Sequence, residues 1–150
     1  TGAGNPGGAT GARLAGGFPV RYLLDVNTLI ALGHVMHSHH QRAQAWQKGL
    51  TAGVDELGTC AITELGFVRV SVQAGLQADI FTAQAALERL KATGPVAYEL
   101  WPDALGVDRL PAYVRKPAEL TDGHLLELAR SQRARLVTLD VSIPGALLIA

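Results

Sequence analysis

Two apolar stretches of this sequence end in an aspartate: "YLLD" closes at Asp25 and "LVTLD" at Asp140. A carboxylate set against a buried run costs free energy unless it finds a partner or takes up a proton. Two more acids stand where helices should begin, Glu64 in "TCAITELGFV" and Asp122 in "LTDGHLLELA". The amino terminus of a helix stabilises negative charge, so both are tolerable places for an acid. If all four converge, each opposes ionisation of the others, and a divalent cation relieves that repulsion. Magnesium and manganese favour oxygen ligands and keep several waters for exchange with substrate. Such a site suits phosphodiester hydrolysis, in which the cation polarises the phosphate and stabilises the leaving oxygen. Any one of these acids alone reads more readily as a helix cap, a loop residue or an ion-pair partner than as a metal ligand. Two apolar strands that both close on aspartate require two coincidences, and on spacing alone the metal site and the structural reading both stay open.

Positioning those acids requires particular elements. "VRYLL" predicts a first strand ending at Asp25, and a helix begins over Thr28–Leu32. "HHQRAQAWQKGL" predicts an amphipathic helix, and "ELGTCA" a short second strand. Glu64–Gln73 is expected helical with Leu65, Val68 and Val72 on one face, and "ADIFTAQAALERLKAT" follows with Ile80, Ala83, Leu87 and Leu90 at helical spacing. "VAYELW" predicts the next strand. After an irregular stretch rich in proline and charge, "TDGHLLELARSQ" predicts a helix capped by Thr121. "RLVTLD" is a near-continuous apolar strand, and "ALLIA" is a candidate for one more. Strands alternating with helices predict an α/β fold with a parallel sheet covered on both faces. In such a sheet the strands' carboxyl ends share one edge, where ligands bind, so Asp25 and Asp140 should meet there.

The 150 residues fit one domain, and the 48% hydrophobic and 17% charged composition supplies an ample core. Thirteen basic and thirteen acidic residues cancel, which argues against retention on nucleic acid by bulk charge but not against brief contact with RNA. Cys60 is the only cysteine, so no intrachain disulfide forms. No apolar run reaches the ~18 residues of a membrane span, and a cytoplasmic location is the expectation. Residues 1–19 are glycine-dominated and read as a flexible tail or cloning remnant, with the domain over 20–150. Gly2, Gly4 and Gly7 match G-x-G-x-x-G, but without a preceding strand the pattern carries no nucleotide site.

Taken in order, "LLDVNTLIAL", "HSHHQRAQAW", "TCAITELGFVRV", "LTDGHLLELAR" and "LVTLD" resemble the PIN-domain family, and most closely its VapC-type toxin ribonucleases. The resemblance spans Tyr22 to the carboxyl end. It implies a three-layer α/β/α domain with a central parallel sheet, whose acidic cluster binds Mg2+ or Mn2+ and cuts single-stranded or looped RNA. By this resemblance Asp25, Glu64, Asp122 and Asp140 are the catalytic and metal-binding acids. Asp25, Asp122 and Asp140 would hold the cation directly or through water, and Glu64 would also help orient or deprotonate the attacking water. Asn27 and Thr138 would orient carboxylates or water from behind. The implied products carry a 5′-phosphate and a 3′-hydroxyl. The implied partners are the RNA substrate, a second copy of the chain in a homodimer, and a cognate antitoxin whose tail fills the acidic groove. No RNA-binding residue is identifiable, although Arg115 and Lys116 lie close before Asp122.

Other chemistries fit less well. "DVNT" is similar to the D-x-D-x-T signature of haloacid-dehalogenase-like phosphatases, but Asn27 stands where their general acid belongs. A PD-(D/E)xK nuclease needs an acid two residues before a lysine, and none of Lys48, Lys91 and Lys116 has one. "HVMHSHH" gathers His34, His37, His39 and His40, yet only Cys60 and His124 exist elsewhere to complete a zinc site. The non-enzymatic alternative is a catalytically silent PIN-like module acting through a protein partner.

Overall fold

The computed structural model describes residues 19–150. All but the last residue of the glycine-rich stretch, including its G-x-G-x-x-G pattern, lie outside the described residues. The first strand, β1 (Val20–Leu24), runs into α1 (Val26–Gly33) and α2 (His40–Lys48). β2 (Asp55–Thr59) is followed by α3 (Ala61–Gln73) and α4 (Ile80–Ala92), and β3 (Tyr98–Leu100) by two 3₁₀ turns at Val107–Arg109 and Pro117–Glu119. α5 (Leu120–Ser131), β4 (Arg135–Thr138) and β5 (Leu147–Leu148) complete the domain. All pairings are parallel and the order is β3-β2-β1-β4-β5. The chain thus builds outward from β1 to β3, then returns to lay β4 on β1's other side. The gap between the carboxyl ends of β1 and β4 is the switch point at which open parallel sheets bind ligands.

Alternation along the strands feeds two cores. Tyr22, Leu24, Leu57 and Val137 point to the face covered by α1, α3 and α4, where Leu29, Phe67, Leu87 and Leu90 meet them. Leu23 and Leu136 point to the opposite face and pack with Trp101, Leu125 and Leu128, mostly from α5. Burial on both faces explains why the central strands are apolar at consecutive positions. This is the α/β/α sandwich expected from the alternating pattern.

The structure refines several local expectations. Leu65, Val68 and Val72 share one face of α3 as expected, but it is the outer one: they line a surface groove with Leu65 65% exposed, while the buried residues are Thr63, Gly66, Phe67 and Ser71. A Cβ at Gly66 would stand 2.5 Å from Val26, so this glycine lets α3 lie directly against α1, and the small residues, not the large aliphatic ones, face inward. Ile80 is likewise exposed at the start of α4. β2 stops at Thr59, and Cys60 and Ala61 belong to the entry of α3. Thr121 lies inside α5, because the preceding 3₁₀ turn continues into the helix and puts Glu119 at the cap position.

Candidate active site

Asp25 is the last step of β1 and the first of α1. Its N–H donates to Val137 O at 3.1 Å, extending the β1–β4 ladder, and its Oδ1 accepts from Thr28 N at 2.9 Å, capping the helix. The spacing D-x-x-T in "DVNT" encodes that cap. Thr28 then ties α1 back to β4 through Oγ1 to Val137 O at 3.3 Å. The side chain of Asp25 is 3% exposed, and burial raises its carboxyl above the ordinary aspartate value of 3.8. Hydrogen bonds from Thr138 and Thr28 pull the other way, and the Asp140 charge adds to the rise.

Thr138 joins the two strand ends. Its hydroxyl bonds the Asp25 carboxylate and accepts from Asp140 N at 2.9 Å. Asp140 curls into a turn in which Ser142 donates to Oδ1 from its N–H at 2.9 Å and its hydroxyl at 2.8 Å. Those donors hold its pKa below 3.8, the backbone N–H first. Asp122 enters from the first turn of α5, whose amino terminus must lie on the carboxyl edge because the helix runs antiparallel to β4. Its pKa is raised, first by burial and then by the charges of Asp25 and Asp140. Three aspartates from three separate elements therefore share one electrostatic neighbourhood.

Glu64 is engaged differently. Its Oε2 accepts from Thr59 Oγ1 at 2.6 Å and from Lys91 Nζ at 2.6 Å, and it is not among the charges that act on Asp25 or Asp122. Asn27 is exposed on the first turn of α1 and has no hydrogen-bond partner among the described residues. Sequence reasoning passed over Thr59 and Lys91, which no local spacing marks. It also passed over Tyr113, whose loop packs on α5 where Gly123 leaves room: a Cβ there would lie 2.3 Å from Val114 and 3.7 Å from Tyr113 Oη. That hydroxyl is buried without a partner among the described residues, and burial, then Asp122, raises its pKa.

The histidines disperse. His34 is buried, bonds Ile30 O through Nδ1 at 2.9 Å and stacks on Phe67 with ring centres 5.3 Å apart. His40 bonds Ala31 O at 2.8 Å, and His37 accepts from His39 N at 3.0 Å. His124 instead pairs with Asp103 at 2.5 Å, fastening the loop after β3 to α5. Trp101 is buried in the second core with Arg21 4.4 Å above its ring, and Trp46 meets Tyr22 edge-on.

Among the described residues no three acid, imidazole or thiolate groups already stand at metal-ligand spacing. The donor chemistry nonetheless fits a hard divalent cation. Asp25, Asp122 and Asp140 offer only oxygen, and no lysine or arginine among the described residues pairs with any of them.

No family model matches the chain. Curated relatives do. Ribonuclease VapC44 of Mycobacterium tuberculosis is 37% identical over 139 residues, covering 85% of this chain and 94% of the relative. Ribonuclease VapC38 of the same species is 40% identical over 126 residues (81% and 86%), and VapC39 is 36% identical over 128 (81% and 89%). Among solved structures, VapBC2 from Rickettsia felis bound to a DNA fragment from their promoter superposes with a TM-score of 0.57, covering 86% of this chain and 97% of that one. At 13% identity that likeness speaks for the fold.

Proposed function

The chain belongs to the VapC ribonuclease family, and from that premise we propose that it is a metal-dependent endoribonuclease, the toxin of a toxin–antitoxin pair. The observation that supports this most directly is the uncompensated cluster of Asp25, Asp122 and Asp140 at the β1–β4 switch point. Asp25 and Asp122 are both pushed toward protonation, a state that a divalent cation would reverse.

In this reading Asp25, Asp122 and Asp140 hold Mg2+ or Mn2+, which when bound polarises the scissile phosphate and stabilises the leaving oxygen. The chain's own residues supply rigidity and placement. Thr28 N–H and the Thr138 hydroxyl fix the Asp25 carboxylate, and Ser142 fixes that of Asp140. Glu64 has both of its contacts on Oε2, which leaves Oε1 to accept a hydrogen bond from the attacking water and orient it. The products are a 5′-phosphate and a 3′-hydroxyl.

Protein partners are part of the proposal: a cognate antitoxin and a second copy of the chain. Leu65, Val68 and Leu100 line an apolar groove of about 540 Å³ between α3 and α4, and Ile80 and Phe81 stand exposed beside it. Apolar surface gathered in this way marks an interaction face. An antitoxin would reach the acidic edge with a cationic segment. Val68→Glu should leave the fold intact and reduce self-association in light scattering; an unchanged mass would remove this face from the dimer. No helix among the described residues is long and apolar enough to cross a membrane. A ribonuclease acting on cellular RNA would work in the cytoplasm, and that location belongs to the proposal.

The test is to map cleavage ends on total bacterial RNA with magnesium, manganese or chelator, and Asp122→Asn purified alongside. Discrete ends that need metal and vanish in the variant support the nuclease. Absence of cleavage by folded, antitoxin-free protein would favour the silent binding module instead.

A further inference from the structure

Lys91 stands in the last turn of α4, 27 residues from Glu64, with Nζ 2.6 Å from Glu64 Oε2. The side chains of both partners are largely covered, with 17% and 21% exposure. An ion pair of this kind is a weak source of stability, because desolvation offsets most of its Coulombic gain. Nor do α3 and α4 need it to stay together, since Phe67 and Leu87 already join them in one core. The Thr59 hydroxyl falls on the same Oε2, so two donors from two elements grip one oxygen and set the rotamer of the acid. The contrast with the aspartates is complete among the described residues: Glu64 has a cation of its own, and Asp25, Asp122 and Asp140 have none.

This bears on metal count. Two-metal phosphodiesterases place their ions about 3.5–4 Å apart and require carboxylates on both flanks. Within the site proposed above, Glu64 is the acid left to complete a second position, and an ammonium already sits against it.

We propose that Lys91 sets the metal stoichiometry of the site, holding Glu64 as a paired acid outside the ligand set so that Asp25, Asp122 and Asp140 take up a single divalent cation. Lys91 is then a positioning residue that acts through Glu64. This rests on the metal-dependent reading above, and the experiment separates the two.

Mn2+ binding to the full chain is measured by calorimetry for the wild type, Glu64→Gln, Lys91→Met, Lys91→Arg and Asp122→Asn, with thermal unfolding recorded for each. The wild type should bind one Mn2+ per chain. Glu64→Gln should match it in stoichiometry and Kd, whereas Asp122→Asn should lose at least about tenfold in affinity. Lys91→Met, which frees Glu64, should take up a second equivalent, and Lys91→Arg should restore the single one. Two equivalents in the wild type, or a Glu64→Gln loss as large as that of Asp122→Asn, would overturn the proposal. So would Lys91→Met that melts earlier yet binds a single equivalent, since the pair would then be only a helix-to-helix staple. If Lys91→Met does not fold, Glu64→Gln decides. A wild type that binds no Mn2+ would remove the metal-dependent reading itself, and the proposal with it.

Discussion

At the ends of β1 and β4, Asp25, Asp122 and Asp140 face one another with no cation among the described residues, and Asp25 and Asp122 are pushed toward protonation. One strand away, at the end of β2, Glu64 occupies a similar position on the same sheet edge, yet Lys91 and Thr59 satisfy it within the fold. The two regions use the same residue chemistry and the same element junctions. What differs is where the neutralising charge comes from. Beside β2 it is built into α4, so that acid is settled before anything binds. At the β1–β4 switch the fold supplies hydroxyl and N–H donors that orient carboxylates but cancel none of their charge. Groups left in that condition gain from a cation taken up from solution, which is the property the proposed metal site would use.

Removing an acid from the strained region should have the largest effect. Asp25→Asn should cut RNA cleavage by more than roughly 100-fold, since losses one shell further out already cost about 10–100-fold. Asparagine still caps α1, so circular dichroism should show the fold retained. Persistent cleavage by folded Asp25→Asn would break the comparison. Thr138→Val keeps the shape of a 1%-exposed side chain but removes the hydroxyl between Asp25 and Asp140. It should weaken Mn2+ binding by about 10–100-fold, read by calorimetry.

Stability should separate the regions by sign. Lys91→Met leaves the covered Glu64 carboxylate without its cation and should destabilise by up to about 3 kcal/mol in urea unfolding. Asp122→Asn removes a repelled charge and should stabilise the chelated protein at neutral pH. A loss from both would mean that the aspartates are structurally compensated after all.

The smallest effect is a pH slope. Because the folded pKa values of Asp25 and Asp122 are raised above 3.8, their contribution to stability is fully present below that value and is lost as pH rises through the folded values. Asp140, lowered by Ser142, runs the other way: its contribution is present above 3.8 and is lost as pH falls through its lower folded value. In chelator, the urea midpoint of the wild type should therefore decline as pH rises above 3.8 through the raised folded values, more steeply than that of Asp122→Asn. Added Mn2+ should close the gap. Parallel slopes for the two proteins would remove Asp122 from the coupled set.

Much of this architecture was legible because its signals are local. Alternating apolar runs and helical periods located the strands and most helices, and "YLLD" and "LVTLD" placed two acids at strand ends. Periodicity grouped Leu65, Val68 and Val72 on one face of α3 but did not mark the face turned toward α1, where the close contact depends on Gly66 having no side chain before Val26. The entry to α5 was misread because Thr121 offers a capping hydroxyl while the 3₁₀ turn at Pro117–Glu119 had already started the helix. Tyr113 and Lys91 left no local trace at all.

The sequence by itself determined which backbone segments are strands and helices and which of them end in carboxylates, since those properties depend on neighbours a few residues apart. The tertiary structure alone decided which carboxylates share a field. Laying β4 against β1 brings Asp140 to Asp25 across 115 positions of chain, and packing α4 on α3 brings Lys91 to Glu64. Charge acts through space over several ångströms whatever the separation along the chain, so the division between free and paired acids exists only once the strands are in order.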